Sequence, residues 1–177
     1  MASKTTTNPA GNRNGSDRSA SLAPVSGNDA IEILENDHVR IKELLAGLVA
    51  AGEPDERATI LEELKALLTI HTATEENLVY PAVRFLAKRP AESDKLYHQQ
   101  DEAKVAVWEI DSLADAGDDF TAQAEKLQSA VLAHIRKEEE TEFPHLRSSV
   151  DSDGLRDLTA KLREFRTSLH FASPSRG

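Results

Sequence analysis

One motif, written twice, limits what this chain can become. The first copy runs His71-Thr-Ala-Thr-Glu75-Glu76-Asn-Leu-Val-Tyr80-Pro81. The second runs His134-Ile-Arg-Lys-Glu138-Glu139-Glu-Thr-Glu-Phe143-Pro144. Each is a histidine, three residues, a Glu pair, three residues, an aromatic and a proline. Each also has one histidine upstream, His38 for the first and His98 for the second. A single His-x-x-x-Glu arises easily by chance, but a second copy with the same aromatic-Pro ending does not. The pattern is that of a helical hairpin written twice.

The apolar residues agree. Ile31, Leu34, His38, Ile41, Leu45 and Leu48 recur in alternating threes and fours, one stripe of an amphipathic helix. Asn28 or Asp29 is placed to cap its start, and Ala51-Gly52 with Pro54 beyond ends it. A second stripe runs through Leu61, Leu64, Leu68, His71, Glu75, Leu78, Ala82 and Phe85, with a kink expected at Pro81. A connection at Lys88–Ala91 leads to a third helix, capped by Ser93. It carries His98, Glu102, Val105, Glu109 and Leu113 on or near one face, with Trp108 and Ile110 beside them. After a turn at residues 115–119, the fourth helix presents Ala124, Leu127, Val131, His134 and Glu138 and loosens at Pro144. A turn at residues 151–154 then leads to a short fifth helix through Leu155, Leu158, Leu162, Phe165 and Leu169.

No period-2 strand and no glycine-rich phosphate loop interrupts this series. The expected fold class is all-α: an antiparallel up-down four-helix bundle with a short fifth C-terminal helix. Residues 1–28, almost free of large apolar side chains, are expected to be a disordered tail. The bundle is expected over residues 29–170, with residues 171–177 frayed.

Four histidines and at least two glutamates fall on stripes that should be buried. An ion taken from water without compensation costs several kcal/mol, and a whole domain is stable by only about 5–15 kcal/mol. Lys and Arg are missing from the four stripes, so a metal is the economical compensation. It accepts neutral imidazole together with carboxylate. The expected ligands are His38, His71, Glu75, His98, His134 and Glu138, with Glu102 as a further donor. Two six-coordinate ions need about twelve ligand positions. Four histidines, two bridging glutamates, a shared oxygen and Glu102 leave about one position open for a small molecule. Histidine plus carboxylate without thiolate suits iron first, then manganese or zinc.

For the other polar and aromatic residues the expectations are plainer. Glu76, Glu139 and Glu140 read as surface charges, one of which could support a ligand from behind. His145 and His170 lie outside the pattern. Tyr80, Tyr97 and Phe143 read as core packing, with a tyrosinate ligand at Tyr97 as an alternative, and Trp108 reads as a core or interface aromatic.

The ligand pattern resembles the hemerythrin family in its bacterial HHE cation-binding branch, over roughly residues 29–148. The resemblance implies a four-helix bundle around two non-heme iron ions, oxo- or hydroxo-bridged. Oxygen-carrying hemerythrins have His-x-x-x-His on the third helix and His-x-x-x-x-Asp on the fourth. This chain has His98-x-x-x-Glu102 and His134-x-x-x-Glu138 instead. The difference turns the expectation from reversible O2 carriage toward a protein that binds or reacts with O2, H2O2 or NO. If it is an enzyme, it is an oxidoreductase such as a catalase-like one, with Glu102 as the acid. An iron or oxygen sensor, or an iron-handling protein without turnover, is the second class, and a metal-free interaction bundle the third.

Composition narrows the partners. A net charge of −10 opposes a nucleic-acid backbone or an anionic membrane surface. The chain has no cysteine, which removes disulfides and thiolate sites. It has no membrane-length apolar run and no signal-peptide core, so a cytoplasmic location is expected.

Overall fold

The structure is a computed structural model and describes residues 27–111, 113 and 118–172. Most of the expected N-terminal tail, part of the turn at residues 115–119, and the last residues of the expected frayed end lie outside the described residues.

Helix α1 spans Ala30–Ala50 and is capped by Asp29, whose carboxylate accepts from the backbone N–H of Ile31 and Glu32. This leaves Ile31, Leu34, His38, Ile41, Leu45 and Leu48 buried, as the stripe predicts. Helix α2 spans Pro54–Thr74. It runs without a break into a π-helical turn, Glu75–Val79, and then α3, Tyr80–Phe85. The long α5, Asp118–Lys137, repeats the design with a π-helical turn at Glu138–Glu142 and α6 at Phe143–Ser149. Between them lies α4, Pro90–Asp111, and the chain closes with α7, Ser152–Ala172. No strand occurs among the described residues.

The prolines explain the π turns. Pro81 and Pro144 have no N–H to give to the carbonyl four residues back, and their rings crowd it. The helix answers by widening: the Tyr80 N–H bonds to the Glu75 carbonyl, and the Phe143 N–H to that of Glu138. An i→i+5 bond adds one residue to the turn. The buried face therefore slips by one position, to Val79, Tyr80 and Val83, while Leu78 is only half-buried and Phe85 points to solvent. The expected kinks are therefore bulges in continuous helices.

Helix α4 differs more from expectation. It begins a turn earlier, with Pro90 in the first position, where a missing N–H costs nothing. Lys88, in the left-handed conformation at φ 56°, turns the chain into it. Ser93 is not the cap; its hydroxyl donates to the Tyr80 carbonyl at 3.0 Å. The inward face is Ser93, Leu96, Gln100, Ala103, Val107 and Ile110. This stripe also alternates by threes and fours, but Ser93, Gln100 and Ala103 interrupt it with small or polar side chains, and Val105 and Trp108 on the other face are exposed. Helix α7 is no short appendage. At 21 residues it matches α1, and it packs on α1 and α2.

The buried apolar residues form two clusters. One gathers Ile31, Leu34, Tyr80, Val83, Phe143 and Leu162. The other gathers Ile41, Leu45, Leu64, Phe120, Leu127 and Val131. The layer between them is polar.

Candidate metal centre

Four residues from three parts of the bundle bring ligand atoms together there. His38 (α1), His71 (α2), Glu75 and Glu138 (the two π turns) are all buried, and one donor atom from each lies within 4.8 Å of all the others. The i, i+4 spacing stacks His71 and Glu75 on one face, with Nε2 to Oε1 at 3.2 Å. The same spacing brings His134 Nε2 to 3.4 Å from Glu138 Oε1. His38 Nε2 lies 3.4 Å from Glu138 Oε2 and 4.0 Å from Glu75 Oε1.

The carboxylates divide their oxygens between two groups of atoms. Glu75 Oε1 and Glu138 Oε2 face His38 and His71. Glu75 Oε2 and Glu138 Oε1 each lie 3.2 Å from the Tyr80 hydroxyl, which is also 3.2 Å from His134 Nε2. That hydroxyl has one proton and donates to one of them at a time. Gln100 reaches in from α4 and donates through Nε2 to Glu75 Oε2 at 3.0 Å.

A further set of side chains fixes the imidazoles. Glu139 accepts from His38 Nδ1 at 3.0 Å and is itself held by Lys42 at 2.9 Å. Asp37 accepts from His71 Nδ1 at 3.1 Å and is held in turn by Arg166 of α7, whose Nε also donates to Thr74. With Nδ1 committed as a donor, Nε2 of each ring is the atom aimed at the carboxylates, the tautomer a metal requires. Phe143 stacks on the other side of His38, centroids 5.7 Å apart and planes within 6°.

The charges follow from this packing. Burial alone would push the His71 imidazole down, but the Glu75 and Asp37 carboxylates outweigh it and hold the pKa at about 10. Burial and the neighbouring His71 charge push His38 down to about 4. Burial pushes Glu138 well above the usual carboxylate range, and the Glu75 charge adds to this. For Glu75, burial is overcome by the facing histidines, and its carboxyl sits well below that range. Burial and both carboxylates raise Tyr80. The two glutamates are thus driven apart, Glu75 downward and Glu138 upward.

The donor set fits a metal ion. His38 Nε2, Glu75 Oε1, Glu138 Oε2 and His134 Nδ1 are buried and lack a hydrogen-bond partner among the described residues. Buried polar atoms are almost always satisfied, so three such atoms converging on one spot point to a cation that satisfies them together.

Five of the seven expected ligands thus lie in or beside this layer. The other two do not. His98 and Glu102 pair with each other at 3.5 Å on the outer surface of α4, with side chains 77% and 65% exposed. Gln100 takes the inward place instead. Tyr97 does not reach the layer either; its hydroxyl donates to the Glu76 carbonyl at 2.7 Å. The tyrosine that does reach is Tyr80, read from sequence as packing. The repeated aromatic five residues after each Glu was the available signal. Gln100 was legible only from the weaker stripe of α4, and the Asp37–Arg166 support required knowing where α7 lies.

The comparisons agree with this geometry. The model of the hemerythrin HHE cation binding domain matches residues 29–146. A protein from Nostoc sp. (strain PCC 7120 / SAG 25.82 / UTEX 2576) named DNA nickase is 25% identical over 122 residues, covering 69% of this chain and 34% of that protein. The chain thus spans about a third of that relative's length. A crystal structure of a hemerythrin HHE cation binding domain-containing protein from Mycobacterium kansasii superposes with a TM-score of 0.67 at 20% identity, over 82% of this chain and 91% of that one. That likeness speaks for the fold. With its match over most of the length, the chain belongs to the hemerythrin HHE cation-binding family, and His38, His71, Glu75 and Glu138 in its core are the candidate site for the cation.

Proposed function

We propose that the bundle holds two iron ions and uses them to bind or react with a small oxidant: O2, H2O2 or NO. The observation that carries this reading is the division of the carboxylate oxygens. His38 and His71, with Glu75 Oε1 and Glu138 Oε2, would hold one ion. His134, Tyr80, Glu75 Oε2 and Glu138 Oε1 would hold the other. A single ion leaves half of these atoms without a use. Bound iron supplies a Lewis acid and a reversible change of oxidation state.

The chain's own residues do the rest. Glu139 and Asp37 orient the histidines, Phe143 and the two apolar clusters keep bulk water away, and Gln100 steadies Glu75. With His98 and Glu102 on the surface, fewer protein donors serve the second ion. Tyr80 makes up part of the loss, and more than one position remains for an exogenous molecule. Glu102 is too far out to serve as an acid. Nicking of DNA, which one relative's name raises, finds no support in a chain of net charge −10.

Metal analysis of aerobically purified protein, with its absorption spectrum, is the test. About two irons per chain with oxo-to-iron charge-transfer bands support the reading. One zinc or manganese per chain removes the iron chemistry and leaves the site. A folded protein that takes up no iron when offered it refutes the reading and favours a metal-free bundle.

A second reading, a sensor or iron-handling protein, draws on the spread of the ligands. Metal would tie α1 to the ends of α2 and α5, lending its binding energy to folding. A steep fall in melting temperature on chelation, with no turnover of peroxide, favours it.

A further inference from the structure

Helices α2 and α4 touch only sparsely along their length, and a groove of about 530 Å³ lies between them. Leu68, Ala73, Val107 and Trp108 give it apolar walls. Salt bridges strap its two ends: Lys65 to Asp111 at 2.8 Å, and Lys104 to Glu76. Both lysines are matched by carboxylates, so these four side chains offer no net charge to an incoming ion.

Behind the groove lies a chamber of about 20 Å³, against His71, Glu75 and His134. A space of about 10–15 Å³ measured this way holds one water, so the chamber admits a molecule of one or two heavy atoms. Groove and chamber share four residues: Leu68, Thr72, Gln100 and Ala103. These four line both spaces and form the wall they share. The Phe143 ring covers the His38 side, and the two apolar clusters flank the layer.

Gln100 is the polar member of that wall that reaches the centre. It is 1% exposed. Its Nε2 is committed to Glu75, which fixes the amide orientation and leaves Oε1 as an acceptor with no hydrogen-bond partner among the described residues. A buried acceptor on a residue that lines a chamber of this size is matched by a small ligand that carries a proton to donate.

We propose that small neutral molecules reach the metal centre through the α2–α4 groove, and that Gln100 selects among them by accepting a hydrogen bond from a ligand with an O–H or N–H. The inference rests on the reading of the core as a metal centre. It favours a protic oxidant over O2 or NO, neither of which has a proton to donate.

The test uses iron-loaded full-length protein and two probes, hydrogen peroxide and nitric oxide, mixed rapidly and followed by absorption. Ala103→Phe plugs the wall, and Ala73→Phe plugs the groove from the opposite side should the first variant fold poorly. Trp108 is the one tryptophan of the chain, so a shift of its emission in the metal-free variant reports that the plug occupies the groove, without reference to any activity. With emission shifted and iron content at the parent level, both probes should react at least about tenfold more slowly. Gln100→Leu also removes the bond to Glu75, a loss common to both probes, so selection is read as a ratio: peroxide should slow about tenfold more than nitric oxide, the worth of one hydrogen bond. Unchanged rates in a plugged, iron-loaded protein overturn the route. Equal slowing of both probes by Gln100→Leu overturns the selection. A parent that takes up no metal fails at the metal analysis, and so separates loss of the underlying reading from loss of this one.

Discussion

Asp37→Asn tests whether the support behind His71 matters as the geometry says. The change is isosteric and deletes one negative charge. Asp37 and Arg166 are 15% and 5% exposed, so their ion pair is largely withdrawn from water. Breaking a buried pair from one side costs about 3–5 kcal/mol. Asp37 keeps some contact with solvent, which sets the estimate at the low end, about 3 kcal/mol. For a chain of this size each kcal/mol moves the melting temperature by about 2–4 °C, so a fall of about 6–12 °C is expected. The same change removes the carboxylate that fixes the His71 tautomer. Loss of such a partner weakens metal binding by about 10–100-fold. Two assays are therefore read together: thermal melting of the metal-free protein, and competition for iron against a chelator of known strength. Arg40→Ala is the control. Its pair with Glu63 is about half exposed on both sides, and such pairs contribute about 0–1 kcal/mol. If Asp37→Asn melts within about 2 °C of the parent and holds iron as tightly, the argument for a supported histidine is wrong.

Other outcomes follow from the same geometry. His98→Ala and Glu102→Ala should retain the parent's metal content, whereas His71→Ala and Glu138→Ala should lose most of it; metal analysis of the four decides. Tyr80→Phe should keep one ion more firmly than the other, and should remove any visible phenolate-to-iron band that the parent shows. Metal uptake at neutral pH should release protons, because His71 holds one up to about pH 10 and Glu138 is pushed toward its protonated form; calorimetry in buffers of different ionisation enthalpy counts them. In the metal-free protein the folded pKa of His71 lies above the ordinary imidazole value of about 6.5, so its contribution to stability is complete below that pH and is lost as pH rises through about 10. Urea melts from pH 6 to 10.5 should record that decline, and His71→Gln should flatten it.

The sequence carried most of the fold because α1, α2 and α5 bury large residues at helical spacing around the repeated motif. It placed in the polar layer those expected ligands that sit on such a stripe: His38, His71, Glu75, His134 and Glu138. Helix α4 defeated the same reasoning. Its inward face mixes Ser93, Gln100 and Ala103 with Leu96, Val107 and Ile110, and its outward face holds Val105 and Trp108, so size and polarity were poor guides there. The helix packs closely on α3 and α5 and only sparsely on α2. A histidine on α4 was expected inward because the repeat demanded symmetry between the halves. The fold does not observe that symmetry.

The asymmetry accounts for what stands at the centre. Each Pro widens its helix, and each widened turn carries an aromatic around to the polar layer, one turn above its glutamate. A regular α-helix would leave residue i+5 rotated away from residue i. In the second copy the aromatic is Phe143, which stacks on His38 where two histidines already face the carboxylates. In the first copy it is Tyr80, whose hydroxyl stands among Glu75, Glu138 and His134, where only one histidine is present. The one-oxygen difference between the copies thus falls on the side that lacks a second imidazole. The aromatic-Pro ending, which from sequence alone reads as a kink beside a packing residue, is on this argument part of what shapes the candidate centre. The proline supplies the extra residue in the turn, and the residue before it decides whether that side of the centre gains an oxygen or an apolar wall.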